Sequence, residues 1–275
     1  MLRLMELIYR FIITTKKNSV AAVVLALFFS TPLLAQTDTL TIQQKVQQVS
    51  VDPFSNIYLL TDNFEFQKYN SKGVLEYKYS DLQLSELSKI ASDHTFKSMI
   101  YYPEYGFIRV FGNRLQQLAE INLNNLGYGE VTAVAPSIGF QSFWVFDATD
   151  QKLVRINQNG MVELESELQN ILDEPFFPDI IKEREGWVYA YDDEKGLYIF
   201  DNTGIFSKII PITDANSFSV LDGKIFISKA GKIYQVETYL KTLQPINVSI
   251  EGEIIALAFR QMIIQNKGFL QLVKF

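Results

Sequence analysis

The stretch Leu153-Val154-Arg155-Ile156-Asn157 decides the fold, because the chain repeats its pattern several times: an apolar residue, two further positions, a second apolar residue and a polar one. We take the second apolar residue of each copy as the anchor of a repeat. The anchors are Tyr69, Ile121, Ile156, Phe200, Val236 and, in a degraded copy, Leu272. They are 52, 35, 44, 36 and 36 residues apart. A period near 40 residues is typical of a repeat protein.

Short runs rich in β-branched and aromatic residues begin 10 to 14 residues before the anchors, and this composition predicts strands. The runs cover residues 57–60, 107–110, 143–146, 187–190, 225–227 and 262–264. Turn signals flank them. Asp222-Gly223 is a strong hairpin signal, and Ser71-Lys72-Gly73 follows the first anchor with a Gly that tolerates a positive φ. One repeat therefore reads as four strands joined by turns.

Six repeats of four antiparallel strands predict an all-β fold, a six-bladed β-propeller. The sixth repeat stops at Phe275, three residues after its anchor, so its pattern supplies no outermost strand. The segment 39–43, Thr-Leu-Thr-Ile-Gln, alternates as a strand should. We expect it to complete the last blade, which would close the ring and cover an exposed sheet edge.

Repeats such as the segment 51–59, Val-Asp-Pro-Phe-Ser-Asn-Ile-Tyr-Leu, resemble those of NHL-like and TolB-like six-bladed propellers. The resemblance covers nearly all of the chain after its first 35 residues. It implies the fold but no single function, since such propellers include lyases, lactonases and plain binding modules.

The first 35 residues have a different composition. Lys16 and Lys17 precede an apolar stretch from Val20 to Leu34, and the small residue Ala35 follows. This order predicts a secretory signal peptide over residues 1–35 and a propeller domain over residues 36–275. Retention of the stretch as a membrane anchor is the alternative. The segment after Ala35 resembles the processed N termini of exported Bacteroidota proteins, so we expect a periplasmic protein or one peripherally associated with the outer membrane.

Charge and cysteine content narrow the classes of partner. The net charge is −6; removing residues 1–35 removes four basic residues and one acidic residue, which gives −9. An acidic protein is a poor ligand for nucleic acid. The chain has no cysteine, so it has neither a disulfide nor a lipidated cysteine. We expect no membrane span after cleavage, and an envelope protein as the partner.

Two stretches interrupt the β pattern and predict short helices between blades. Residues 80–91 place Leu84, Leu87 and Ala91 at helical spacing after a Ser-x-x-Gln capping pattern. Residues 166–172 open with the same capping pattern.

Motifs for catalysis are nearly absent. The single histidine, His94, lies in a polar stretch and is expected in a solvated loop. There is no G-x-S-x-G nucleophile motif and no glycine-rich phosphate motif. We predict no catalytic residues, no cofactor and no metal. Turn carboxylates keep one alternative open, a calcium-dependent lactonase-like or lyase-like enzyme. They are Asp52, Asp147, Asp150, Asp192, Asp193 and Glu194.

Aromatic residues in apparent loops are the better indication of binding, because exposed aromatics anchor protein interfaces. The predicted partner-binding residues are Phe54, Tyr101, Tyr102, Tyr105, Tyr128, Phe176 and Phe177. The expected innermost strands are mainly apolar or small, which argues against a catalytic funnel. We therefore predict a non-catalytic scaffold, or a subunit of a secretion or surface-assembly complex such as type IX secretion or gliding machinery. Carbohydrate or peptide capture by the same loops stays open.

Overall fold

The computed structural model describes residues 40–94, 96–137, 141–169, 171–246, 253–258, 261–266 and 269–274. Within these residues, 24 strands form six antiparallel four-stranded sheets, as predicted. The strands that begin at Val46, Lys89, Val131, Ile180, Ser217 and Glu253, one from each sheet, each contact the corresponding strand of a neighbouring sheet. Each sheet is therefore a blade, and these strands lie innermost.

The strands of blades 1 to 3 are β2 Val46–Val51, β3 Ile57–Thr61, β4 Phe66–Tyr69 and β5 Leu75–Tyr79; β6 Lys89–His94, β7 Lys97–Tyr102, β8 Phe107–Gly112 and β9 Gln117–Asn122; β10 Val131–Pro136, β11 Ser142–Asp147, β12 Lys152–Asn157 and β13 Val162–Glu167. Those of blades 4 and 5 are β14 Ile180–Arg184, β15 Trp187–Asp192, β16 Gly196–Asp201 and β17 Phe206–Ile210; β18 Ser217–Leu221, β19 Lys224–Lys229, β20 Lys232–Glu237 and β21 Thr242–Ile246. Blade 6 consists of β22 Glu253–Ala258, β23 Gln261–Asn266, β24 Phe269–Lys274 and β1 Leu40–Ile42.

The amino-terminal strand closes the ring, as predicted. β1 pairs antiparallel with β24, with Leu40 opposite Leu272 and Ile42 opposite Leu270. Ile42 and Leu270 are buried in one apolar cluster with β2 and β3 of blade 1. The first and last segments of the propeller therefore share a sheet. The predicted signal peptide lies outside the described residues and stays a prediction.

The repeated sequence pattern has a structural cause at the end of the third strand. In β12 the register shifts between Arg155 and Ile156, and the polar residue Asn157 then holds the following turn. Its Oδ1 accepts hydrogen bonds from the backbone N–H groups of Asn159 (2.9 Å) and Met161 (3.1 Å). Asn70 in blade 1 and Asp201 in blade 4 make the same pair of bonds. In blades 1, 3 and 4 the anchor is thus a bulge followed by a side-chain-capped turn.

The anchor predicted for blade 2 is wrong. Ile121 lies on the fourth strand, β9, whereas the other anchors lie on third strands. The corresponding register shift is on β8, between Val110 and Phe111. Taking Phe111 as the anchor moves the first two spacings from 52 and 35 residues to 42 and 45, because the position moves by ten residues. The repeat is therefore more regular than its sequence shows.

Both predicted inter-blade helices are also wrong. Residues 80–88 form successive turns, and Lys89 to Ala91 begin β6, the innermost strand of blade 2. Ser166 and Glu167 end β13, and Leu168 opens a single turn in which its carbonyl accepts from the N–H of Leu172. The helix found among the described residues is one 3₁₀ turn, Asn124–Leu126. No helix in this part of the chain is long and apolar enough to cross a membrane.

The core lies between blades rather than at the ring centre. Every residue of β11 is buried, and its Trp144 packs in one cluster with Val188 and Phe200 of blade 4. Strands buried on both sides read as continuous apolar runs. Burying one such aromatic side chain contributes about 1.5–3 kcal/mol.

Candidate binding surfaces

The antiparallel order of the strands sorts the connecting segments onto two opposite faces. The hairpin face carries the turns between first and second strands and between third and fourth strands, at residues 52–56, 70–74, 96, 113–116, 137, 141, 158–161, 185–186, 202–205, 222–223 and 238–241. The crossover face carries the turns between second and third strands and the connections from blade to blade, at residues 43–45, 62–65, 80–88, 103–106, 123–130, 148–151, 168–169, 171–179, 193–195, 211–216 and 230–231.

Charge divides very unequally between the two faces. In these described segments the crossover face has 13 carboxylates and two lysines, whereas the hairpin face has three carboxylates and three cations. The crossover-face carboxylates are Asp62, Glu65, Asp81, Glu86, Glu104, Glu130, Asp150, Asp173, Glu174, Asp179, Asp193, Glu194 and Asp214. The surplus of negative charge therefore lies on one side of the ring.

The structure separates the predicted aromatic residues into exposed and buried groups. Tyr105 and Phe177 are exposed on the crossover face, and Tyr128 is half-buried there. Phe54 is exposed on the opposite, hairpin face. The predicted set does not form one surface.

Three of the predicted aromatics are core residues. Tyr101 and Tyr102 lie in strand β7, not in a loop, and each is 1% exposed. Phe176 is fully buried against Tyr198, with ring centroids 3.9 Å apart. Burial raises the pKa of both Tyr101 and Tyr102 well above the usual value for tyrosine. These side chains stabilise the blades.

Phe96 is an exposed aromatic that the sequence did not single out. It lies in the first turn of blade 2 with a φ of 67°, and its ring is 5.4 Å from that of Phe54 in blade 1. A positive φ is strained for a bulky residue. The Phe54 turn is rigid, because the buried Asp52 carboxylate accepts from the N–H groups of Phe54 and Asn56, both at 2.9 Å. The feature of the sequence that could have indicated this exposed residue is a Phe directly after the polar stretch 92–95.

Most of the turn carboxylates considered for calcium accept hydrogen bonds from groups of the protein. Oδ1 of Asp147 accepts from the N–H of Thr149, and Oδ1 of Asp192 accepts from the N–H groups of Glu194 and Lys195. Asp193 accepts from the hydroxyl of Tyr191. In the described part of the chain, no three His, Cys, Asp or Glu residues are grouped so as to hold a metal ion. His94 lies in strand β6, not in a loop, and its side chain lies outside the described part.

A polar cluster fixes the connection from blade 1 to blade 2 on the crossover face. Arg109 forms an ion pair with Asp81 and a second one with Glu120 at 2.8 Å. The hydroxyls of Tyr79 and Tyr102 donate to Asp81 at 2.6 and 3.1 Å. Burial raises the pKa of the Asp81 carboxyl, but these hydrogen bonds and the Arg109 charge outweigh it and hold the pKa below its usual value. The cluster borders a depression of about 520 Å³.

A second depression on the same face, of about 400 Å³, lies between blades 4 and 5 and is lined by Asp179, Asp193 and Asp214. Burial raises the pKa of Asp179; Lys89 opposes this, while Asp192 and Asp193 raise the pKa further. Lys229 donates to Asp214 at 3.1 Å.

The innermost strands carry more charge than predicted. The apolar or small segments expected there do lie on β2, β10, β18 and β22. On β14, however, Lys182 donates to the carbonyl of Phe218 in the next blade at 2.7 Å, and Glu183 is buried. These charged groups join blades.

Comparisons with known proteins support the fold alone. No protein-family model matches the chain, and no curated protein matches its sequence. Among solved structures, BamB from Moraxella catarrhalis is similar with a TM-score of 0.50 and 12% identity, over 82% of both chains. The β-propeller domain of Cps50 (Swd1) from Myceliophteria thermophila has a TM-score of 0.57 and 7% identity, over 84% of this chain and 83% of that one.

A catalytically inactive virginiamycin B lyase from Staphylococcus aureus, solved with quinupristin, has a TM-score of 0.57 and 10% identity, over 87% of this chain and 100% of that one. The class that the fold defines is the six-bladed β-propeller. At these identities the likeness does not carry any neighbour's activity to this chain.

Proposed function

We propose that the protein is a non-catalytic β-propeller that acts as a protein-binding scaffold in the cell envelope, and that its partner docks on the crossover face. One observation carries the proposal: exposed Tyr105 and Phe177 lie on a face whose described segments contain 13 carboxylates and two lysines.

The two features have complementary effects on binding. Aromatic side chains supply a large contact area and are enriched among the residues that dominate interface energies. A surplus of one charge sign speeds encounter with a partner of opposite sign and excludes partners of like sign. The partner that fits is a protein with a basic surface and apolar pockets.

The finer assignment is a subunit of a secretion or surface-assembly complex, of the type IX secretion or gliding kind. The predicted signal peptide and the Bacteroidota-like processing segment support it. The alternative of a calcium-dependent enzyme has less support, because the carboxylates of Asp52, Asp147 and Asp192 accept hydrogen bonds from backbone N–H groups of their own turns.

Affinity purification of the tagged chain from detergent-solubilised envelopes tests the proposal. We expect a stoichiometric partner whose recovery falls with increasing salt and falls further in a Tyr105→Ala/Phe177→Ala variant. Tyr239→Ala, on the hairpin face, is the matched control and should retain the partner. Recovery of the chain alone, with tight calcium binding and turnover of a lactone, would overturn the proposal.

A further inference from the structure

We infer that the hairpin face docks on the surface of a bilayer that contains anionic lipid. The inference concerns the face opposite the proposed partner surface and goes beyond the proposed function.

Apolar side chains project from equivalent positions around this face. Val74, Met161 and Ile205 each follow the glycine of a turn between third and fourth strands, and all three are exposed. Their N–H groups donate to the capping side chain of the turn at 3.0–3.1 Å. Because the three turns share one geometry, their apolar side chains point the same way. Blade 5 presents Tyr239 and Leu240 in the corresponding turn, 94% and 65% exposed.

Aromatic residues form an inner group on the same face. Phe54 and Phe96 contact each other across the boundary between blades 1 and 2, and Trp187 is 42% exposed beside the first turn of blade 4. Tryptophan, phenylalanine and leucine are the residues with which peripheral proteins enter the headgroup region. The capped turns are ordered before contact, so insertion loses little conformational entropy.

Cations accompany the apolar tips. The described turns between third and fourth strands contain Lys72, Arg114 and Lys241. Two carboxylates adjoin them, and both accept hydrogen bonds from the protein: Asp201 from N–H groups of its own turn and Glu237 from the side chain of Gln235. The other carboxylates of this face lie in the inner turns, and Glu185 accepts there from the N–H groups of Asp222 and Gly223 at 2.9 and 2.7 Å. The outer ring of the face is therefore apolar with a small surplus of cations, which complements an anionic lipid surface.

The acidic crossover face does not cancel this attraction. A six-residue strand spans ~20 Å, which is about twice the Debye length of ~8–10 Å at physiological ionic strength. Salt therefore screens the crossover carboxylates from a membrane on the other side.

A single protein partner fits the hairpin face less well than a membrane does. The apolar side chains stand on separate tips in four blades, whereas the hot spots of protein interfaces cluster at one centre.

Two tryptophans give the experiment an internal control. Trp187 is exposed on the hairpin face, whereas Trp144 is fully buried. The chain is purified as the exporting cell processes it and mixed with phosphatidylcholine vesicles with and without phosphatidylglycerol. We expect flotation that is stronger with phosphatidylglycerol, and quenching of tryptophan emission by brominated lipid that Trp187→Phe abolishes. A retained amino-terminal segment would float on its own but would not place Trp187 in the headgroup region.

Paired substitutions distinguish the faces. Ile205→Ser/Leu240→Ser should lower vesicle binding by about tenfold or more, since two apolar side chains no longer enter the lipid. Leu82→Ser, at a fully exposed leucine of the crossover face, is the matched control and should bind vesicles as the natural chain does.

Two results would overturn the inference: Trp187 emission that brominated lipid does not quench, or equal losses of vesicle binding in the two variants. A dimer without vesicles that the double substitution dissociates would instead assign this face to a second copy and overturn it too. Neither result affects the partner test on the crossover face.

Discussion

The indole N–H of Trp144 donates a 2.6 Å hydrogen bond to the carboxylate of Glu183 across the boundary between blades 3 and 4. Both side chains are buried, and the hydroxyl of Ser137 donates to the same oxygen at 2.6 Å. Two hydrogen-bond donors therefore replace the water molecules that burial removes from the Glu183 carboxylate. Hydrogen bonds to a charged group are stronger than neutral ones, and a lost partner at such a site is costly.

Trp144→Phe should destabilise the propeller by about 2–4 kcal/mol, because it removes one donor from a buried carboxylate and leaves a small void. For a domain of this size, that corresponds to a fall of about 5–15 °C in the thermal unfolding midpoint. Thermal unfolding followed by circular dichroism measures it.

A double-mutant cycle isolates the bond itself. Glu183→Leu removes the acceptor and Trp144→Phe removes the donor, so each single substitution removes the bond. The coupling energy between the two substitutions should lie in the range of about 0.5–3 kcal/mol found for contacting residues. Simple additivity of the two losses would mean that the bond contributes nothing.

Closure of the ring can be tested with a single engineered disulfide. Thr41 on β1 lies opposite Gln271 on β24, and the chain has no cysteine of its own. Oxidised Thr41→Cys/Gln271→Cys should unfold at a higher temperature than its reduced form, with a gain of up to about 5 kcal/mol from the long loop that it closes. Each single cysteine variant is the control. Equal midpoints for the oxidised and reduced forms would contradict clasping by β1.

Blade 2 explains most of what the sequence analysis missed. The repeat pattern places the anchor at Ile121 on β9, whereas the structure places it at Phe111 on β8. This shift misassigns the other strands of the blade. β6 was read as the end of a helix, and Tyr101 and Tyr102 of β7 were read as loop residues. Regular blades with capping Asn or Asp residues were assigned correctly, because there the turn chemistry is local.

The helix predicted at residues 80–91 does not form, for one local and one tertiary reason. Oδ1 of Asp81 accepts from the N–H groups of Gln83 and Leu84, which satisfies the backbone in a turn instead of a helix. Leu84 is buried among the side chains of blades 1 and 2. The ring needs an innermost strand in every blade, and this requirement outweighs weak helix propensity. Exposure depends on such packing as well, so spacing alone did not separate Phe177 from its buried neighbour Phe176.

Asp81 should make stability depend on pH in a defined direction. Its pKa lies below the usual value of 3.8, because its hydrogen bonds and Arg109 outweigh the effect of burial. A carboxyl with a lowered folded-state pKa stabilises the fold above its unfolded-state pKa, and this contribution is lost as the pH falls through the folded-state value. Asp81→Asn should therefore be less stable than the natural chain at neutral pH, with the difference shrinking below pH 3.8.

Urea unfolding of both chains across this pH range measures the difference. Glu104→Gln removes an exposed carboxylate from the same face and controls for the change in net charge. A gap between Asp81→Asn and the natural chain that stays constant below pH 3.8 would show that the carboxylate charge is not the stabilising group.

Phe96 should be dispensable for stability and needed for lipid binding. Its φ of 67° is strained for phenylalanine but unstrained for glycine. Phe96→Gly should leave the free energy of unfolding unchanged or raise it by up to about 1 kcal/mol, because relief of strain offsets the contact with Phe54, while vesicle binding falls. Leu115 also has a positive φ, 55°, but is buried, so Leu115→Gly should lose about 2–5 kcal/mol. If Phe96→Gly were as destabilising as Leu115→Gly, Phe96 would be a core residue and its exposed ring would have no separate role.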